Sequence, residues 1–253
     1  MRLWQSLWDR SPIYRETLEK RITGALPPME ANKHLAETLR EVSVEGDTLL
    51  DAGCGAGHFL RLYTDVVPES RITGIDVSDS LLAIARQHYP AAAFTRSTIE
   101  EFAPPAPFDH VTCCNVLMHV ANLRVAIDRL LALSRKTLHV RMLIGDATYL
   151  IRHVHSTDSY AGISDIPPSE ELDASGAPVD FHHFNIYSRA FIASLLDRPD
   201  VEAADIVPDT FMDLAALARE RKGRYQTRVV DGQLVIGNII CPWAYVHVRK
   251  KRR

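Results

Sequence analysis

The chain has 253 residues, 46% hydrophobic and 24% charged, with a formal net charge of −3. These values exclude a disordered or fibrous chain and leave no overall basic surface for nucleic acid. Four cysteines (Cys54, Cys113, Cys114, Cys241) offer no CxxC pair for zinc or redox chemistry, and no apolar run reaches the ~18 residues of a membrane span.

The N-terminal stretch, with Trp4, Asp9, Glu16 and Glu19, lacks the apolar core of a signal peptide, so a reducing, cytoplasmic location is expected. Residues 2–45 read as helical in two pieces broken at Gly24 and Pro27-Pro28. Leu35, Leu39 and Val42 give the second piece one apolar face, and residues 1–45 are expected to form an N-terminal helical cap. From Thr48 the rhythm changes. Short β-rich runs, "TLLDA", "RITGID", "AAFTR", "DHVTCCNVL" and "TLHVRML", alternate with helix-like segments near 58–67, 79–88, 122–133 and 189–197. Such alternation implies parallel strands joined by right-handed crossovers. Ser78-Asp79 is a cap signal for a helix whose inner face would carry Leu81, Leu82, Ala85 and His88.

After Met142 the periodicity breaks. Residues 145–186, with Gly162, Pro167-Pro168, Gly176 and Pro178, read as an inserted lid, because about 40 irregular residues inside a compact domain usually serve function. Strand candidates come next in "VEAADIV", "TRVVDGQLVIGNII" and "WAYVHVRK", with Asp231-Gly232 as a type I′ hairpin turn. The expected fold is therefore α/β: a doubly wound, mostly parallel sheet over residues 46–253, ending in an antiparallel C-terminal hairpin. The basic run from Arg249 to Arg253 reads as a solvated tail.

The most informative stretch is "LLDAGCGAGHFL", residues 49–60. Gly53, Gly55 and Gly57 come after a strand and precede a helix, a turn at which backbone and a helix N-terminus approach a ligand closely. The dinucleotide pattern GxGxxG fails, since His58 stands at its third glycine, and GxxxxGK[ST] is absent. Asp51 would repel a pyrophosphate and suits a cationic group instead. Asp76, ending "RITGID", is placed to accept hydrogen bonds from ribose hydroxyls. A ribose, no pyrophosphate and a positive group are together met by S-adenosylmethionine.

On these residues the chain resembles the class I S-adenosylmethionine-dependent methyltransferases, small-molecule type. "LLDAGCGAGHFL" resembles the glycine motif of that family, "GIDVSDSLLAIA" its second motif, and "FDHVTCCNVLMHV" its fourth strand with the residues after it. "HHFNIYSRAFIASLL" is similar to the helix after its fifth strand, and the final hairpin would supply the antiparallel seventh strand. The likeness is good over residues 48–142 and looser over 182–249. It implies that Asp51 sits near the methionine amino group, that Gly53, Cys54 and Gly55 offer backbone contacts, and that Asp76 holds the ribose. Val77 and Leu81 would pack on the adenine. The third motif departs from the family's acidic residue: "TRSTIEEF" offers Ser97, with Thr98 and Ile99 after it. Asn115 lies at a strand's carboxyl end, where ligands bind in such sheets. Tyr14 and Arg15 are expected to close the cap over the cofactor.

Methyl transfer from a sulfonium mainly requires alignment and exclusion of water, and a hydroxyl or amine acceptor also profits from a base. His119, His182 and His183 are the catalytic candidates, with His153 and His155 nearby in the lid. No companion ligands complete a metal site around these histidines, so none is expected. Tyr149, Tyr160, Phe181, Phe184 and Tyr187, and Trp4, Trp8 and Tyr14 in the cap, would wall a pocket or simply pack. The resulting expectation is methyl transfer to an oxygen or nitrogen of a small molecule, with S-adenosylhomocysteine as product. Two alternatives stand beside it: a non-catalytic binding or assembly protein of the same fold, and a nucleic-acid methyltransferase. The latter lacks its [ND]PP[YFW] motif, because Asn115-Val116-Leu117-Met118 occupies that place.

Overall fold

The computed structural model describes residues 12–154, 172–178, 181–215, 227–236 and 239–251. Trp4, Trp8, His155, Tyr160, Arg252 and Arg253 lie outside the described residues, as does the side chain of Tyr14. Two helices, α1 (Pro12–Thr23) and α2 (Glu30–Val42), precede the sheet, separated as the Gly24 and Pro27-Pro28 signals require. Then come β1 (Leu49–Ala52), α3 (Leu60–Tyr63), β2 (Ile72–Asp76), α4 (Asp79–His88), β3 (Ala93–Arg96), β4 (Phe108–Cys114), α5 (Leu123–Leu133) and β5 (Ser134–Gly145). Ser78 caps α4 by accepting from the Leu81 N–H, and Asn122 caps α5 in the same way from Val125. The helix expected over 58–67 shrinks to Leu60–Tyr63, because turns flank it on both sides.

Beyond β5 come β6 (Arg152–Val154), β7 (Phe181–His183), β8 (Tyr187–Ser188), α6 (Arg189–Leu196), β9 (Val201–Pro208), β10 (Thr227–Val230), β11 (Gln233–Ile236), β12 (Ile239–Ile240) and β13 (Trp243–Lys250). The main sheet runs β3-β2-β1-β4-β5-β13-β9, with β8 pairing β5. Strands β1 to β5 are mutually parallel, and β13 slots antiparallel between β5 and β9. The Asp231-Gly232 turn forms as read, with φ of 49° and 73°, the positive pair a type I′ turn needs. Its hairpin is not the seventh strand, however: β10 and β11 join β12 in a separate small sheet, and β13 alone fills the antiparallel place. The basic tail is likewise partly strand. Arg249 pairs with Glu202 at 3.2 Å, and the buried Lys250 ammonium donates to the Leu131 carbonyl and meets Asp200.

Two apolar layers cover the sheet. On one face Leu50, Ala52, Val111, Leu138 and Val140 pack under α5 and α6. On the other, Leu49, Ile72 and Tyr245 share one cluster with Leu18 and Ile22 of α1 and Leu35 and Leu39 of α2. The N-terminal helices are thus built into the core. Within residues 145–186, β6 and β7 pair antiparallel, setting His153 opposite His182.

Candidate functional site

The carboxyl ends of β1, β2 and β4 open on a cavity of about 680 Å³, a volume that suits a nucleoside-sized ligand. The glycine loop forms its floor with φ of 83°, 54° and 78° at Gly53, Gly55 and Gly57. A Cβ on Gly53 would stand 2.2 Å from Val116 Cγ2, so loop and post-β4 segment touch. Gly53→Ala combines that overlap with a left-handed backbone and should cost about 3 kcal/mol. Chemical denaturation of the single variant and of Gly53→Ala with Val116→Ala checks this; the second change should recover the part due to overlap.

Asp76 ties this floor to β2. Its Oδ2 accepts from the Gly55 N–H and its Oδ1 from the Ser78 N–H, both at 2.9 Å, which fixes the carboxylate against the loop. Gly53, Gly55, Asp76, Val77, Leu81, Ser97, Thr98, Ile99 and Asn115 all line the cavity, as does His119. The amides of Gly53 and Cys54 both donate to the Ile75 carbonyl, at 2.7 and 3.0 Å, so they secure the loop rather than reach a ligand. The Cys54 side chain is buried against Gly74 instead. Ser97 Oγ donates to the Thr98 carbonyl at 2.9 Å.

Asp51 does not line the cavity. Along β1 it alternates with Leu50 and Ala52 and shares the Leu49 face, where Thr112 Oγ1 donates to its Oδ1 at 3.0 Å. Its Oδ2 has no partner among the described residues. Burial, with the Asp76 charge adding to it, pushes this carboxyl up to about 7. Asp51 is thus a buried carboxyl beside the cavity rather than part of its lining.

From the N-terminal helices the cavity receives Thr17, Leu18 and Arg21 of α1 and Met29 before α2. Arg15 is not among the lining residues; the helical period carries the cavity-facing stripe through 17, 18 and 21. His58 lines the cavity as well. Burial, aided by the Arg21 charge, lowers it to about 3, and its Nδ1 has no partner among the described residues. Glu100 and Glu101 line the wall beyond Ile99. No sequence signal separated these two from an ordinary solvated charge pair.

His119 Nδ1 lies 2.7 Å from the His183 carbonyl, which can only accept, so this nitrogen carries the proton and Nε2 the lone pair. Burial lowers the imidazole to about 4, against the raising effect of that hydrogen bond. The His182 ring centre lies 5.3 Å from that of His119 and 4.9 Å from that of His153. The His183 ring packs on Phe181 across the strand's other face, so it is the His183 backbone that reaches His119. Neither His182 nor His183 lines the cavity. No group of three or more potential metal ligands occurs among the described residues.

Beside this wall lies a feature that residue patterns did not suggest. Arg141, buried on β5, pairs with Asp209 at 2.6 Å, donates to Asn115 Oδ1 and sits 4.0 Å over the Trp243 ring. Asn115 adopts φ of 61° and donates its own N–H to the Arg141 carbonyl at 3.0 Å.

A cavity over a strand–glycine loop–helix turn, with an acidic residue closing the second strand, is the arrangement at which Rossmann-like α/β folds bind nucleotides. Residues 50–136 match the model of a methyltransferase domain. Trans-aconitate 2-methyltransferase of Delftia acidovorans is 38% identical over 76 residues, 30% of this chain and 28% of that protein. Ubiquinone biosynthesis O-methyltransferase of Dechloromonas aromatica is 36% identical over 87 residues, 32% of this chain and 37% of that protein. The chain thus spans well under half the length of these relatives. Among solved structures, a S-adenosylmethionine-dependent methyltransferase of Clostridium acetobutylicum superposes with a TM-score of 0.57 at 12% identity, covering 92% of this chain and 96% of that one. The 1,6-didemethyltoxoflavin-N1-methyltransferase of Burkholderia thailandensis, solved with S-adenosylhomocysteine, gives 0.55 at 14% identity, covering 87% and 78%. Residues 50–136 thus resemble a methyltransferase domain, and the chain shares the fold of S-adenosylmethionine-dependent methyltransferases.

Proposed function

We propose that the protein transfers a methyl group from S-adenosylmethionine to an oxygen or nitrogen of a small-molecule acceptor, leaving S-adenosylhomocysteine. The observation that carries this reading is Asp76, held by two backbone N–H groups at the end of β2 and lining a 680 Å³ cavity over the glycine loop. When bound, the cofactor supplies an activated methyl on a positive sulfur. Val77, Leu81 and Ile99 offer an apolar slot for its base, with Ser97, Thr98 and the Glu100–Glu101 pair as polar neighbours. Arg21 is a cation within reach of its carboxylate, and the lining groups Asn115 and His119 remain for the acceptor. Tyr14 keeps its proposed place in the closure only through its position on α1.

Two relatives are named for trans-aconitate and for O-methylation, which supports an oxygen acceptor. No helix among the described residues is long and apolar enough to cross a membrane, and the four cysteines are free and buried, which is compatible with a reducing compartment. A second reading, binding without transfer, rests on His119, whose lowered pKa makes it a weak base. Turnover of any acceptor eliminates that reading.

Calorimetry tests the cofactor directly. Wild type should bind S-adenosylhomocysteine, and Asp76→Ala should weaken it by about tenfold or more through lost charge-assisted hydrogen bonds. No binding by wild type at millimolar ligand would overturn the assignment.

A further inference from the structure

Among the described residues, the Asn115 amide stands out on the cavity wall because a buried neighbour dictates its polarity. Arg141 has only donors, so the atom of Asn115 that it meets is the oxygen, and the amide nitrogen points away from it. Arg141 cannot turn. Asp209 accepts from its Nε and Nη2, Met212 Sδ lies 3.4 Å from Nη2, and the Trp243 ring stacks on the guanidinium. The Asn115 backbone is equally fixed, in a left-handed conformation with its N–H on the Arg141 carbonyl. Asn115 is half-buried and lines the cavity, and its bond to Arg141 engages the side-chain oxygen rather than the nitrogen.

Resting on the methyl-transfer reading, we propose that Arg141 is a positioning residue that makes Asn115 a fixed N–H donor for the methyl acceptor, and that the acceptor therefore carries an oxygen lone pair there, as a carboxylate does. An amide NH₂ offered on the cavity wall attracts a carboxylate or carbonyl oxygen and repels an ammonium. The same orientation leaves the amide nitrogen, rather than the oxygen, as the side-chain atom of Asn115 not engaged by Arg141. The lone pair of His119 Nε2 is the complementary group on the same wall.

Asn115→Asp isolates the donor. Aspartate tolerates the left-handed backbone nearly as well as asparagine and keeps an oxygen for Arg141, but presents an acceptor where the N–H donors were. Protein saturated with S-adenosylhomocysteine is titrated with benzoate and with benzylammonium, two probes alike in ring and opposite in charge. Wild type should prefer benzoate by about tenfold, and Asn115→Asp should abolish or reverse that preference. Affinity for S-adenosylhomocysteine itself should stay within about twofold. Arg141→Lys, which keeps the charge opposite Asp209 but lacks the planar fork, should weaken benzoate without changing S-adenosylhomocysteine, a split that general loosening would not produce. A benzoate preference that survives Asn115→Asp, or no preference in wild type, overturns the proposal. So does tighter S-adenosylhomocysteine binding by Asn115→Asp, which would make residue 115 the ammonium's partner. Failure of wild type to bind S-adenosylhomocysteine at all removes the cofactor reading first, and is seen separately.

Discussion

The melting temperature should fall steeply between pH 7 and pH 5. Burial holds His58 and His139 down to about 3, and His119 and His247 to about 4, against an ordinary value of 6.5. In the unfolded chain all four take up protons as the pH passes that ordinary value, while in the folded chain they stay neutral. The stability they allow is thus complete above pH 6.5 and is lost as the pH drops toward the folded values, by roughly 1.4 kcal/mol per pH unit for each. Asp51 works the other way. Raised to about 7, it costs stability when ionised, and acid relieves that cost. One such carboxyl does not offset four histidines, though His139 and His247, whose Nδ1 atoms lie 3.0 Å apart, titrate as a pair. The paired carboxylates Asp47 and Asp109, held below their ordinary value, matter only at lower pH. The net loss by pH 5 is on the order of 5 kcal/mol, which corresponds to about 10–20 °C for a domain of this size. Thermal unfolding monitored by circular dichroism at constant ionic strength measures it. A melting temperature flat to within a few degrees across this range would show that the histidines are solvated.

Arg141→Ala should be the most damaging single truncation near the cavity, at about 3–5 kcal/mol. It leaves the Asp209 carboxylate, whose side chain is 1% exposed, without its cation, and it frees Asn115 and the face of Trp243. The loss belongs mostly to the abandoned charge rather than to the ion pair itself. Replacing both partners, as Arg141→Met with Asp209→Leu, should therefore recover most of it. Urea unfolding of the two singles and the double variant decides this. A double variant as unstable as Arg141→Ala would assign the cost to lost packing on Trp243 instead.

These two expectations could not have been written from residue patterns. Arg141 and Asp209 stand 68 positions apart, and in "TLHVRML" an arginine reads as a solvent-facing interruption of a strand. His139 and His247 meet only because β13 threads between β5 and β9, a placement the hairpin signal at Asp231-Gly232 misassigned. Asp51 shows the same limit on a smaller scale. All four residues of β1 are buried, so no polar–apolar alternation marks which face a side chain takes.

What the sequence determined by itself was local and ordered along the chain: strand, glycine loop and helix at 49–63, an acidic residue closing the second strand, the cap at Ser78, the break at Gly24 and Pro27-Pro28. Each depends on backbone geometry or capping within a few residues, which residue type alone dictates. Tertiary structure decided the rest: that α1 meets the cavity through Thr17, Leu18 and Arg21, that the His183 carbonyl sets the His119 tautomer, and that Arg141 sets the polarity of Asn115. Those choices arise where chain segments far apart in sequence compete for the same buried donors and acceptors. Only the packed molecule settles which atoms meet.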